Sequence, residues 1–336
     1  MSLQYENSKE DETQPTPEEY LEAQKSAIRK RSYWFLAFGA LITVFLLFAL
    51  FAGFVPIRDL FRSIFFILGL FGLVGGVWGI YYAKKLTLVD LIPSPEAIDF
   101  LRKAQDTKPY FSFILVGSIV VVTVFQLLTE NVESIFDVGE QSAEIAGLVK
   151  PFVWQGEYWR LLTAATLHGI FPLHLYFNAQ ALYGFGSLVE SLSNRAHLAA
   201  VFLLAIIGGG LLSLFFMPDV VSIGASGGVM GLIGYLAIYG YRRKRQLPPD
   251  FLKNMLINIG FITAFGIVAY QIIDNFGHLG GVLTGAIYGF IQIPKDLHKN
   301  PRKIGSTAEI FGLIALGIFI FTCILSILSL LRLIRL

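Results

Sequence analysis

Runs of apolar residues recur along most of the chain and are separated by short polar segments. A transmembrane helix needs about 20 largely apolar residues, and nine runs approach that length. They cover residues 33–55, 63–83, 111–128, 173–192, 196–216, 223–241, 254–270, 277–293 and 310–331. This pattern predicts an all-α, polytopic membrane protein.

The composition agrees with this prediction. Of the 336 residues, 55% are hydrophobic and 15% are charged, whereas a soluble domain has about 25% charged residues. Such a composition is not typical of a disordered, nucleic-acid-binding or disulfide-stapled protein. The single cysteine, Cys323, also excludes an intrachain disulfide. We therefore expect the lipid bilayer as a partner and no nucleic acid.

The distribution of basic residues predicts the orientation in the membrane. With a cytoplasmic N-terminus, the inner segments hold nineteen lysines and arginines, and the outer segments hold six. Because basic residues concentrate in cytoplasmic loops, this orientation is favoured, and nine spans then place the C-terminus on the outer side. In a bacterium the membrane would be the plasma (inner) membrane.

Two polar stretches differ from ordinary short loops. Residues 1–32 are rich in glutamate and predict a disordered acidic tail, without the apolar core of a secretory signal. The outer segment 129–172 mixes acidic and aromatic residues. That mixture favours a loop that rests at the membrane interface, where amphipathic rings are enriched.

Polar side chains at membrane depth are costly and therefore indicate candidate functional sites. Ser226 lies in a Gly-Ala-Ser-Gly-Gly sequence at the outer start of the sixth run, and His278 lies at the outer start of the eighth. The 52 positions between them are enough to descend one helix and ascend the next. A serine hydroxyl beside an imidazole base can act as a nucleophile.

Two further groups are expected at the same depth. His174 and Asn178 open the fourth run, and their spacing places them on one helical face, where they could donate hydrogen bonds to an oxyanion. Gly281 and Gly285 form a G-x-x-x-G face that favours close packing of the eighth helix on small residues of the sixth. That packing would bring the serine and the histidine together.

Each of these signals also has an ordinary structural explanation. The serine could cap or pack a helix, the histidine could bind a backbone carbonyl, and the His174–Asn178 pair could join neighbouring helices. Four polar groups that converge at one depth from three helices favour the catalytic interpretation.

Other chemistries fit the sequence less well. The H-E-x-x-H motif of zinc proteases is absent, and a metal site built from His168, His174 and His278 would need supporting partners that the sequence does not reveal. Asp274 could orient the imidazole of His278, but an exposed loop acid is the favoured interpretation. We expect no metal and no cofactor.

Residues 111–293 resemble the rhomboid family of intramembrane serine proteases. The resemblance rests on Gly-Ala-Ser-Gly at 224–227, His-Leu-Gly-Gly at 278–281 and His-x-x-x-Asn at 174–178. It implies that Ser226 is the nucleophile and His278 the general base. It also implies oxyanion roles for His174 and Asn178.

The same resemblance implies supporting residues. Trp159 and Arg160 resemble the structural W-R signature of the first loop, and His168 resembles a structural histidine of that loop. Glu190 resembles a glutamate near the inner end of the second core helix. Met230 departs from the family, which often has an aromatic residue there that packs on the histidine.

The expected organisation follows. A six-helix rhomboid-like core at 111–293 has two extra N-terminal helices in a membrane segment at 33–83, and one extra helix in the C-terminal segment 310–336. Residues 84–110 and 294–309 would be cytoplasmic linkers.

The expected function is that of a serine endopeptidase that cleaves transmembrane protein substrates near the outer membrane face. One alternative is an inactive rhomboid-like protein that binds or escorts membrane clients. A small-solute transporter fits less well, because the sequence has neither an internal repeat nor paired broken helices.

Overall fold

The computed structural model describes residues 16–54, 56, 64–91, 95, 98, 102, 106–130, 139–169, 172–217, 221–270, 273–296 and 298–334. Within these ranges it has thirteen α-helices, two 3₁₀ turns and an isolated β-bridge. Four helices are short: α3 (Leu88–Leu91), α5 (Glu140–Ala146), α6 (Lys150–Trp154) and α7 (Arg160–Thr163). Nine are long: α1 (Pro17–Phe51), α2 (Ile64–Lys85), α4 (Tyr110–Thr129), α8 (Leu173–Leu192), α9 (Arg195–Phe216), α10 (Ser226–Arg242), α11 (Phe251–Val268), α12 (Asn275–Gln292) and α13 (Ser306–Leu330).

The long helices correspond one to one with the nine predicted apolar runs. Among the described residues, α1, α4, α9, α11 and α13 are long and apolar enough to cross a membrane by length and composition. The prediction of an all-α, multi-pass membrane protein is therefore confirmed.

The prediction of a disordered tail is wrong from Pro17 onward, because α1 begins there. The Thr16 hydroxyl accepts a hydrogen bond from the Glu19 N–H, and the Glu19 carboxylate accepts one from the Thr16 N–H. This reciprocal capping box satisfies two N–H groups at the helix start, and proline is favoured as the first helical residue. Residues 1–15 of the predicted tail lie outside the described residues.

The chain divides into two compact units, residues 1–93 and 94–336. In the first unit, α1 and α2 pack together through glycines: a Cβ on Gly72 would lie 2.8 Å from the Cα of Gly39. Such close backbone contact is typical of helix pairs in membranes.

Removing residues 1–93 is expected to leave a folded second unit that keeps the activity proposed below. The hydrophobic core cluster runs from Phe111 to Leu330, and all its members lie within residues 94–336, so the truncation removes none of them. The unfolding temperature and the cleavage rate of the truncated and full-length chains in the same detergent test this. A truncated chain that folds but has no activity would show that the first unit takes part in catalysis.

In the second unit, α10 is the most central helix, with twelve of its seventeen residues buried. It packs against α9 and α12, and α8 and α11 also contact it. The closest contacts join α10 to α12: a Cβ on Gly281 would overlap the carbonyl oxygen of Gly227, and one on Gly285 would overlap that of Gly231. The predicted packing of the G-x-x-x-G face is therefore confirmed, and it holds the first turns of both helices together.

The C-terminal helix α13 also belongs to this core. It packs against α9 and α4, where a Cβ on Gly312 would overlap Ala196 and the ring of Phe319 meets that of Phe202 edge to face. Near its other end, Ser326 accepts a hydrogen bond of 2.9 Å from the Thr166 hydroxyl. The helix thus supports the 3₁₀ turn Ala164–Thr166.

Glu190 joins α8 to the start of α4. Its buried carboxylate accepts hydrogen bonds from the N–H groups of Phe111 and Ser112, at 3.1 and 2.9 Å, and from the Ser112 hydroxyl at 2.6 Å. An anion is favourable at a helix N-terminus, where N–H groups lack partners. The supporting role that the sequence predicted for Glu190 therefore has a physical basis at this helix end.

Candidate active site

Ser226 and His278 meet at one end of the helix bundle. The serine is the first residue of α10, the histidine lies in the first turn of α12, and both side chains are half-buried. The Nε2 atom of His278 lies 2.8 Å from the Ser226 Oγ atom. Its Nδ1 atom is buried without a hydrogen-bond partner among the described residues. With the ring proton on Nδ1, Nε2 can accept the serine proton.

The turn before the serine requires a glycine. Gly224 has a φ angle of +121°, which residues with a Cβ rarely adopt. A Cβ there would lie 2.7 Å from the Nε2 atom of His174. The Gly224 N–H donates a hydrogen bond of 2.8 Å to the Ala164 carbonyl, so the loop before α8 fixes this turn.

His174 and Asn178 approach the serine from α8. The Nδ1 atom of His174 accepts a hydrogen bond of 3.3 Å from the Gly169 N–H, so in the neutral ring the proton lies on Nε2, the atom nearest Gly224. The Asn178 amide donates one hydrogen bond to the His174 carbonyl, at 3.0 Å, and keeps a second N–H. Both side chains therefore supply donors beside the turn that leads to Ser226.

Asp274 is not the exposed loop acid that the sequence favoured. Its half-buried carboxylate caps α12 by accepting a 2.7 Å hydrogen bond from the Gly277 N–H. The same carboxylate also accepts hydrogen bonds from the hydroxyls of Ser213 and Ser222. The aspartate therefore bonds to serines and to its own helix end rather than to the His278 ring. Among the described residues, the side-chain contact of the ring is with the Ser226 hydroxyl rather than with a carboxylate, as a triad would require.

Trp159 and Arg160 organise the long loop between α4 and α8. The buried Arg160 guanidinium donates to the Glu157 carboxylate at 2.6 Å and to the carbonyls of Glu144 and Gly147 at 3.0 and 2.9 Å. It also lies over the Trp159 ring, 4.6 Å from the centroid. The Arg160 guanidinium thus connects the end of α5 to α7, consistent with a structural role for the W-R signature.

His168 is fully buried in the same loop. The Gln126 side chain accepts a hydrogen bond from the His168 backbone N–H at 3.1 Å and donates one to the His168 carbonyl at 2.8 Å. Its ring meets the His174 ring edge to face, with centroids 5.2 Å apart. Burial and, to a smaller extent, His174 lower the pKa of His168 well below its usual value, so this ring is neutral at physiological pH. These contacts fit a structural histidine.

A small cleft of about 50 Å³ lies beside Ser226 and His278. Its lining combines small and apolar residues with the polar groups of the site and includes Leu148, Leu161, Ala164, Gly209, Ser222 and Asp274. Small side chains leave room for a substrate backbone next to Ser226. Among the described residues, no group of three or more His, Cys, Asp or Glu side chains is arranged to hold a metal ion.

Sequence reasoning missed three residues near the site: Lys150, Ser213 and Ser222. Lys150 has a recognisable signal, since it is a single cation within the apolar sequence Leu-Val-Lys-Pro-Phe-Val, and a buried cation needs a partner. The two serines carry no comparable signal. Only the fold brings them to Asp274.

Residues 155–295 match the model of the Rhomboid domain. The Rhomboid protease GluP of Bacillus subtilis (strain 168) is 31% identical over 186 residues, which are 54% of this chain and 34% of the relative. The domain match and this relative support the rhomboid family for residues 155–295. RHOMBOID-like protein 6, mitochondrial, of Arabidopsis thaliana is 35% identical over 172 residues, covering 48% of this chain and 53% of the relative.

A third rhomboid relative, RHOMBOID-like protein 1 of Arabidopsis thaliana, is 32% identical over 163 residues, which are 46% of this chain and 41% of the relative. The chain thus spans between about a third and about a half of the length of these rhomboid relatives. The Rhomboid domain match includes the four candidate catalytic and oxyanion residues. Four long helices lie outside it, α1, α2, α4 and α13, as do the short helices α3, α5 and α6.

Proposed function

We propose that this protein is an intramembrane serine endopeptidase with a Ser226–His278 dyad. The observation that carries the proposal is the 2.8 Å approach of the Ser226 hydroxyl to the His278 Nε2 atom. Two helices supply these side chains, and glycine contacts hold the helices together. A nucleophile within hydrogen-bond distance of its base is the arrangement that acyl transfer needs.

In the proposed reaction, His278 acts first as a base and then as an acid. Its Nε2 atom takes the serine proton while Oγ attacks the scissile carbonyl carbon. The imidazolium then gives that proton to the amine that leaves, and an acyl-serine ester remains. Water, deprotonated by the same ring, attacks the ester, and the ring returns that proton to Ser226 Oγ as the carboxylic acid product leaves.

The negative charge on the attacked carbonyl oxygen needs hydrogen-bond donors. The Nε2–H of His174 and the second N–H of Asn178 are two candidates, and the Ser226 backbone N–H at the start of α10 is a third, because first-turn N–H groups have no partner within their helix. Donors fixed before the reaction stabilise the transition state more than the substrate.

The proposed substrates are transmembrane proteins cleaved near the outer membrane face. With the N-terminus in the cytoplasm, as the basic residues favour, the starts of α8, α10 and α12 lie at the outer end of the bundle. Single-span proteins whose helix unwinds near that end would expose a peptide bond to Ser226.

A serine-reactive fluorophosphonate tests this proposal on the purified chain in detergent. We expect labelling of the wild type and of the Ser187→Ala control, which removes an exposed serine that bonds to its own helix. Labelling is expected to be lost in Ser226→Ala. If Ser226→Ala is still labelled, the nucleophile is another residue. An unlabelled wild type would favour an inactive protein that binds membrane clients.

Asn178→Ala is expected to lower the turnover of a single-span reporter peptide by about 10²- to 10³-fold, the usual loss for one oxyanion donor. His174→Ala is expected to act similarly, with a smaller loss in either variant if the remaining donor compensates. The initial rate of cleavage measures both, with unfolding temperatures as the control for folding. Wild-type rates in both variants would remove the oxyanion assignment.

A further inference from the structure

A cluster of buried and half-buried polar side chains lies next to Ser226 and His278 and belongs to none of the predicted catalytic positions. The Lys150 ammonium donates to the Ser222 hydroxyl at 2.6 Å, and that hydroxyl donates to the Asp274 carboxylate at 2.5 Å. Ser213 donates to the same carboxylate oxygen. Lys150 is only 1% exposed, so its charge is compensated inside the protein.

These contacts join three separate segments of the chain. Lys150 begins α6 in the long loop, Ser222 lies four positions before Ser226, and Asp274 lies four positions before His278. A β-bridge reinforces the first junction, since the Leu148 N–H donates to the Ser222 carbonyl at 3.0 Å. The segment before the nucleophile is thus attached to the loop through both its backbone and its side chain.

Asp274 transmits the connection to the histidine. One carboxylate oxygen accepts from the Gly277 N–H at 2.7 Å, and the Asp274 carbonyl accepts from the His278 N–H at 3.0 Å. The residue therefore fixes the first turn of α12, which carries the imidazole, while its other carboxylate oxygen binds the segment that leads to the serine.

The charges explain why the connection should be strong. Burial lowers the pKa of Lys150 to about 8, and the negative charge of Asp274 opposes that shift. At neutral pH the ammonium is therefore mostly charged and lies across Ser222 from an anion. A buried charge whose partner is removed is left uncompensated, so the two residues depend on each other.

We propose that Lys150, Ser222 and Asp274 form a polar bridge that sets the position of His278 relative to Ser226. The three are positioning residues, since they act through the segments that carry the dyad. This inference rests on the proposed peptidase function and adds a requirement to it: the dyad reacts at full rate only while the bridge is intact.

Asp274→Asn is the most informative variant. Asparagine retains the volume and the helix-capping ability of aspartate, but it removes the negative charge. It also has a single acceptor oxygen, so it cannot accept from the Gly277 N–H with one oxygen and from the two serine hydroxyls with the other. We expect the rate constant of fluorophosphonate labelling and the kcat for the reporter peptide to fall about 10- to 100-fold, the range that a small misplacement of reacting groups produces. KM should change little.

Asn275→Ala is the matched control. Asn275 lies next to Asp274, and its amide donates to the Gly266 carbonyl at 2.9 Å, which joins α12 to α11 rather than to the segment before Ser226. Its loss is expected to lower the unfolding temperature but to leave the labelling rate of the folded protein within about twofold of wild type. A purely structural effect would slow labelling in both variants.

Two variants of Ser222 keep the test decisive if Asp274→Asn folds poorly. Ser222→Ala removes the central hydroxyl without changing the charge, and we expect it to slow labelling. Ser222→Thr restores the hydroxyl and is expected to recover most of the rate. If Asp274→Asn folds, its combination with Lys150→Met should lose no more than the worse single variant, because the two residues act through one interaction.

The outcomes separate this inference from the proposed function. A wild type that is not labelled at Ser226 would overturn the peptidase and the bridge together. A labelled wild type with equally fast labelling of Asp274→Asn, or of both Ser222 variants, would overturn the bridge alone. Losses that simply multiply in the Lys150–Asp274 double variant would also contradict it.

Discussion

His278→Asn is expected to lower the turnover of the reporter peptide by about 10⁴- to 10⁶-fold, the scale of loss when the base of a serine hydrolase is removed. The asparagine amide can occupy the same space but does not take up a proton near pH 7. The Ser226 hydroxyl then stays a weak nucleophile. The fold should persist, because α12 packs on α10 through glycines rather than through the ring.

The initial rate of cleavage and the unfolding temperature of the same sample measure this effect. His298→Asn is the matched control, since His298 is exposed beyond the end of α12 and its loss should leave the rate unchanged. A His278→Asn protein that keeps more than about a tenth of the wild-type rate would mean that another group takes the serine proton, and the dyad would have to be reassigned.

Gly281→Val is expected to abolish fluorophosphonate labelling or to slow it by at least about 10²-fold. The position has no room for a Cβ, because that atom would overlap the Gly227 carbonyl oxygen. The side chain therefore forces α12 away from α10, and a shift of about 1 Å between reacting groups can cost about 10²-fold in rate. A loss of stability of about 1–3 kcal/mol is expected from the same crowding.

Gly281→Ala extends this test with the smallest possible side chain, and Gly117→Ala is its control. A Cβ on Gly117, in α4, would meet nothing within 4 Å, so that variant should keep both the labelling rate and the unfolding temperature. If Gly281→Ala folds and is labelled as fast as wild type, close packing at this glycine does not set the distance between Ser226 and His278.

The parts of the fold that follow from local pattern could be predicted from the sequence. Apolar length gave the nine long helices, and α8 has the predicted bounds, Leu173–Leu192. Glycine spacing indicated the α10–α12 contact, and polar groups at one depth indicated the pairing of Ser226 with His278. Helix length and glycine spacing depend on residues that are close in sequence or on one helical face. The pairing of Ser226 with His278 follows from the depth that the starts of their two helices share.

The sequence-based predictions are wrong where the structure depends on contacts between distant segments or on local helix capping. The start of α1 was missed because charged residues suggested disorder, whereas the Thr16–Glu19 capping box decides the local structure. Asp274 was assigned to an exposed loop because its partners, Ser213 and Ser222, come from other segments. No periodic pattern along the chain indicates that Asp274 contacts these two serines.

The position of α13 has a consequence for the assembly of the protein during synthesis. Thr166 is the last residue of the 3₁₀ turn Ala164–Thr166. The Ala164 carbonyl accepts a hydrogen bond from the Gly224 N–H, and the Thr166 hydroxyl donates one to Ser326 in α13. The ribosome makes α13 after every other long helix described here. The turn beside Ser226 therefore gains its hydrogen bond to Ser326 only after α13 has been made, so the nascent chain carries Ser226 and His278 before this contact can form.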